Sequence, residues 1–148
     1  MLYDTPFGKK WASTQQEVDE FIMCEYRRIA EKDIDSIRDQ KCSCVIPITI
    51  SSGTFNYRAD ENEVQSIALM VMAHDNYGLP LPTYWRTHDN QNPAVTKADL
   101  ITISSAMKQW ILDVGAQAHI VKDVHIPACV TTGGLQDVCE QFKNWTPA

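Results

Sequence analysis

Two histidine–aspartate neighbours, His74-Asp75 and His88-Asp89, are the residues best suited to acid–base work. A general base must lie within hydrogen-bond reach of the proton it takes, with its partner aimed at the same place. Adjacent residues on a helix point in different directions, so His74 and Asp75 would not face one substrate. His88 and Asp89 fall in His88-Asp-Asn-Gln-Asn92, a turn by composition, where a solvated turn is the simpler reading. The five cysteines are Cys24, Cys42, Cys44, Cys129 and Cys139. Cys42 and Cys44 are two apart, His125 and Cys129 four apart, and none makes the paired Cys-x-x-Cys spacing of a structural zinc site. An odd number at irregular spacing also argues against a secreted disulfide framework, so the thiols are expected to be reduced and mostly buried. Thr131-Thr-Gly-Gly134 lacks the lysine and the preceding strand of a phosphate loop and reads as a flexible turn. The expectation is no catalytic residue, no metal and no cofactor.

What stands out instead is contact chemistry. Thr83 to Asp99 packs two large aromatics, a turn, a proline and a helix start into one short stretch. Trp, Tyr and Arg are the types that anchor interfaces. Tyr84, Trp85, Arg86, His88 and Asn90 form the candidate contact surface, joined by Trp11 near one end and by Phe142 and Trp145 near the other. One of Tyr84 and Trp85 is expected to face inward and the other outward.

The elements that must hold these residues follow from pattern. Residues 1–12 read as an extended arm with Tyr3, Phe7 and Trp11 as anchors, packed on its own subunit or laid on a neighbour. Thr14-Gln-Gln-Glu17 is a capping box, followed by a helix to about Asp39 with a thin apolar stripe. The run Val45 to Ile50, the turn at Ser51-Ser52-Gly53 and the run with Phe55 and Tyr57 predict a β-hairpin, with Pro47 marking an edge strand. Asp60 and Glu63 open a second helix, apolar around much of its circumference and expected to be the most buried, which Gly78 ends. Tyr84 to Thr87 and Pro93 to Val95 predict a short aromatic-rich β element. Thr96 and Asp99 cap a long helix that Pro127 stops. Leu135, Val138, Phe142 and Trp145 then share one face of a short helix that must dock somewhere. The fold class is α+β, a β-hairpin plus a short aromatic-rich β element packed on long amphipathic helices.

At 148 residues the chain suits one domain with extensions, large enough to bury about two-thirds of its unfolded surface. A net charge of -6 argues against binding a phosphate backbone, so no nucleic-acid partner is expected. No apolar run is long enough for a membrane span and no signal-type core opens the chain, so folding in the cytosol of the producing cell is expected.

The order of elements, with Gly53-Thr-Phe55, the helix from Glu61 to Asp75, Trp85-Arg-Thr-x-Asp89-Asn90, and Val95-Thr followed by Ala98-Asp-Leu100 and a helix to Ile126, resembles a small domain of unknown function of tailed bacteriophages and prophages. That domain occurs beside or within tail-fibre and baseplate genes. The resemblance covers about residues 45–126, which divides the chain into an arm and helix at 1–44, the tail-associated domain at 45–126 and a docking extension at 127–148. It implies no enzymatic residues. It implies a non-enzymatic structural or attachment part of a phage tail, assembled in the host bacterial cytoplasm, with fibre or baseplate proteins as partners and a homo-oligomer, such as a trimer, as its working form. A tail-fibre assembly chaperone and a host-surface glycan-binding module are the alternatives.

Overall fold

Two hairpins are each followed by a helix, and the rest of the chain is helical with connecting segments. The computed structural model describes residues 1–148 as β1 (Leu2–Thr5), β2 (Gly8–Trp11), α1 (Gln15–Cys42), β3 (Val45–Ile50), β4 (Gly53–Arg58), α2 (Glu61–Tyr77) and α3 (Lys97–Ile120). A π-helical turn (Val121–His125), α4 (Ile126–Ala128) and α5 (Thr132–Asn144) complete it. The architecture is α+β, with two separate antiparallel hairpins, β1–β2 and β3–β4. No helix is long and apolar enough to cross a membrane.

The chain forms two compact units, one of Met1–Arg38 and Ala116–Thr146 with Ala148, the other of Asp39–Gly115 with Pro147. In the second unit the alternation of β3 works as its pattern predicts. Ile46, Ile48 and Ile50 turn inward and Val45, Pro47 and Thr49 turn out. Tyr57, Ala59, Ile67, Val95, Leu100, Ile103 and Met107 close that core. The Trp110 indole reaches the Lys41 carbonyl at 2.8 Å and so satisfies an orphan acceptor at the end of α1.

Helix ends follow their caps. Asp60 accepts from the Asn62 N–H at 2.8 Å, and Gly78 adopts φ 66°, donating to the His74 carbonyl at 2.9 Å. Thr96 and Asp99 form a reciprocal box, with Asp99 N–H to the threonine hydroxyl at 3.2 Å and Thr96 N–H to the carboxylate at 2.9 Å. The Thr14 box is half as expected: its hydroxyl takes the Glu17 N–H, but the Glu17 carboxylate takes the Ser13 N–H instead of that of Thr14.

Several expectations are corrected. Residues 1–12 are a hairpin rather than an extended arm. Gly8 at φ 102° allows the turn, and the Thr5 hydroxyl braces it by accepting from the Phe7 N–H at 3.2 Å. Its inner face is held by Phe7 edge-on to Tyr26, centroids 4.9 Å apart, and by Lys10 over the Phe21 ring. Helix α1 runs three residues past Asp39, to Cys42. Helix α2 is not the most buried: only Ile67 is fully enclosed, while Leu69 and Met72 are 59% and 52% exposed. Its apolar residues surround the helix, but just one face meets the core. Pro127 does not stop the long helix. The π-helical turn before it sends the Ile126 N–H back to the Val121 carbonyl, and helical backbone continues to Ala128. Thr131 to Gly134 is no flexible turn. Thr131 is the N-cap of α5, its hydroxyl accepting from the Gly134 N–H at 3.0 Å. None of the five cysteines forms a disulfide, and none is fully buried: Cys24 is exposed and the others are half-buried.

The unit of Met1–Arg38 and Ala116–Thr146 gathers Val18, Ala30, Ile34, Ala118, Val121, Ile126, Leu135 and Phe142 as its buried side chains. Polar links tie α1 to the later segments. Arg27 donates to the Cys129 carbonyl at 2.9 Å, and Lys122 pairs with Asp35 at 2.8 Å. The Lys122 ammonium is the main reason the Asp35 carboxyl titrates below its ordinary value.

Candidate functional site

The aromatic turn is built by its own side chains. Tyr84 and Ala94 form a single antiparallel bridge, so the expected β element shrinks to one bridged pair. Backbone bonds from Trp85 to Pro93 (3.2 Å), Thr87 to Gln91 (2.9 Å) and Val95 to Thr83 (2.9 Å) carry the two strands of chain alongside each other. Thr87 is buried, its hydroxyl donating to Asp89 at 2.6 Å and accepting from the Gln91 N–H at 2.9 Å. That hydroxyl bond is the largest reason the Asp89 carboxyl titrates below its usual range. Asn90 sits at φ 62°, a region that asparagine tolerates better than other side chains, and its amide oxygen accepts twice from Arg86, at 3.1 and 2.6 Å. The His88 N–H donates to the Asn56 carbonyl of β4 at 2.8 Å. The turn is therefore stitched internally and onto the hairpin.

Two carboxylates anchor it to the helices. Asp99 accepts from Ser51 N–H (2.8 Å), Ser51 hydroxyl (2.6 Å), Thr96 N–H (2.9 Å) and Thr96 hydroxyl (2.9 Å). These bonds, led by the Ser51 hydroxyl, hold its carboxyl far below the usual range. Ser52 adds a bond to the Ala94 carbonyl at 2.9 Å. Glu63 accepts the Trp85 indole N–H at 2.7 Å, yet burial outweighs this bond and raises its pKa. Close by, the Tyr57 hydroxyl is buried without a hydrogen-bond partner, and burial together with Asp99 and Glu63 pushes its pKa up.

Glu63 thus holds its proton more tightly folded than unfolded. Its contribution to stability is complete below its ordinary value and is lost as pH rises through the raised one. Glu63→Gln keeps an acceptor for the indole and removes the half-buried charge. The variant is expected to match the parent in urea midpoint at pH 4 and to equal or exceed it at pH 7. A lower midpoint at pH 7 would show that the charge itself is needed.

Of the sequence candidates, Tyr84 is 62% exposed and Trp85 half-buried with its indole engaged, one out and one in. Arg86, His88 and Asn90 are exposed on the same turn. Trp11, 74% exposed, lies on β2. Trp145 is half-buried and stacks on Phe142, centroids 6.3 Å apart. Phe142 is only 1% exposed and belongs to a core, so as a contact residue it is a correction: docking of α5 within its own unit consumes that side chain.

The first of the two histidine–aspartate pairs separates. His74 Nδ1 meets the Leu79 carbonyl at 2.7 Å while Asp75 pairs with Lys97. The Cys129 thiol donates to the His125 backbone carbonyl and not to its imidazole. No group of three or more His, Cys, Asp or Glu side chains is placed to hold a metal ion.

Sequence reasoning missed the Glu63–Trp85 and Asp99–Ser51 links, which join residues 22 and 48 positions apart. The capping box signalled Asp99, but only for its local role.

No curated protein and no solved structure matches the chain. The family model described as Domain of unknown function (DUF4376) matches residues 25–132, a wider span than the residue strings above mark, and the chain belongs to that family.

Proposed function

We propose that this protein is a non-enzymatic structural or attachment component of a bacteriophage tail, acting in the fibre or baseplate region as a homo-oligomer docked on other tail proteins. The support is the resemblance carried by the Trp-Arg-Thr-x-Asp-Asn and Val-Thr-x-Ala-Asp-Leu strings, together with the way those strings are used. The observation that carries the reading is the spending of the turn's polar groups on its own architecture. Thr87, Asp89, Asn90 and Asp99 all hold backbone or neighbouring side chains in place. Among the side chains the turn presents outward, beside Arg86, His88 and Asn90, is Tyr84, large, with few rotors and on a pinned backbone. Such a residue loses little entropy on contact and suits an anchor in a permanent assembly.

Mass spectrometry of purified particles, with copy number against the major tail protein, tests the reading. Presence at a fixed ratio in multiples of three or six is the expected result. Absence from particles with abundance in the infected-cell lysate would replace it with an assembly chaperone. A Tyr84→Ala variant that assembles normally yet fails to adsorb would replace it with a host-surface glycan-binding module.

A further inference from the structure

Tyr57 carries a polar tip into the apolar core that β3 and β4 share with α2 and α3. It is 1% exposed, and its hydroxyl meets no protein donor or acceptor. An orphaned hydroxyl at such a site costs more than a hydrogen bond gains, so buried hydroxyls find a partner in protein or in water. Two carboxylates act on this one, Asp99 and Glu63, and both make its proton harder to remove. They differ in what they can still accept. Asp99 is filled: it already takes four donors from Ser51 and Thr96, and a carboxylate has only about four lone-pair sites. Glu63 takes only the Trp85 indole, on Oε1 at 2.7 Å, which leaves Oε2 open. Glu63 is also half-buried and so stays within reach of solvent. A water needs at least two polar partners to hold its place in a protein interior. The open Oε2 and the sealed hydroxyl supply them.

We infer that one ordered water binds between Tyr57 and Glu63, accepting from the Tyr57 hydroxyl and donating to Glu63 Oε2. A bridging water of this kind is nearly as good enthalpically as a direct bond. Each oxygen of the Glu63 carboxylate is then engaged, one by the indole and one by the water. The side chain that moors Trp85 is thereby fixed in orientation, and the aromatic turn is held to α2 through a hydration site as well as a direct bond. This hydration site is independent of the tail assignment and of any association between copies.

A crystal structure that resolves ordered solvent tests this directly. Density for a water within hydrogen-bond reach of both Tyr57 Oη and Glu63 Oε2 is expected. A hydroxyl bonded straight to a carboxylate, or to nothing, would overturn the bridge. Tyr57→Phe gives a second readout in solution, because phenylalanine fills the same space without the hydroxyl. Its urea midpoint at pH 7 is expected to fall, since the water loses a partner; a rise would show that the hydroxyl had been orphaned. Carbon-13 NMR titration of the side-chain carboxyl of Glu63 follows the other end of the bridge. A water left without its tyrosine donor is a weaker donor in turn, so the Glu63 carboxyl should titrate about 0.5 pH unit higher in Tyr57→Phe than in the parent. An unchanged Glu63 titration would overturn the bridge even if the midpoint fell.

Discussion

Asp99→Ala is expected to destabilise the Asp39–Gly115 unit by about 2–3 kcal/mol, the scale for removing a charged acceptor from a part-buried hydrogen-bond network. The carboxylate is 5% exposed and takes four donors, two from the hairpin tip and two from the start of α3. The tip has no Asn-Gly or other primed-turn sequence; Ser51 and Ser52 lie between the strands, and Gly53 alone has a positive φ. Its geometry is therefore borrowed from Asp99. Asp99→Asn keeps the shape but replaces one acceptor oxygen with a donor, and is expected to lose roughly half as much. The pH dependence has a definite sign. A carboxyl held far below its ordinary value of 3.8 contributes fully above that value and loses its contribution as pH falls toward the depressed one. The parent should weaken below about pH 4 and Asp99→Asn should be flatter there. Urea unfolding at pH 7 and pH 3 measures both; an unshifted midpoint for Asp99→Ala would mean that the turn holds itself.

Phe142→Ala carries the other large effect, about 3–5 kcal/mol for emptying a fully enclosed aromatic site. The ring is 1% exposed and supports Trp145 by stacking. A 13-residue helix is marginal in isolation, so α5 should fray with it, and limited proteolysis should cut between Cys129 and Leu135. Trp11→Ala, at a site 74% exposed, should change the melting midpoint of the dilute chain little, within about 0.5 kcal/mol. Similar losses for both variants would contradict the division between a core aromatic and a surface one.

What was legible in the sequence was local. Caps at Asp60, Thr96 and Gly78 depend on groups within four residues, and the β3 alternation depends on a period of two. The long-range terms were not. Strand β2 is Gly-Lys-Lys-Trp, with no β-branched residue, and its hairpin is held by Phe21 and Tyr26 of α1. Leu69 and Met72 look like core by composition, but only packing decides which side of α2 is covered. The amphipathic spacing of α5 was visible, while the partner that buries Phe142 was not. The candidate surface was read in the right stretch for an incomplete reason. Its aromatics marked it, yet most of its distinctive residues build the turn, and the exposed rings of Tyr84 and His88 are what remain for contact.

Pro47 has a consequence for assembly. Its partner in register is Asn56, whose carbonyl turns away from β3 to meet His88. Residue 47 sits in the same kind of pair, so its main chain turns away from β4, where a proline has no N–H to offer. A strand arriving from outside would meet a missing donor and a ring in mid-edge, and on the opposite edge the Asn56 acceptor is already taken. The β3–β4 sheet can therefore neither recruit a strand nor run on into another copy. Were copies of the chain to meet, this ring would keep them from fusing sheet to sheet and would leave their contacts to side chains, which can be counted, matched and undone.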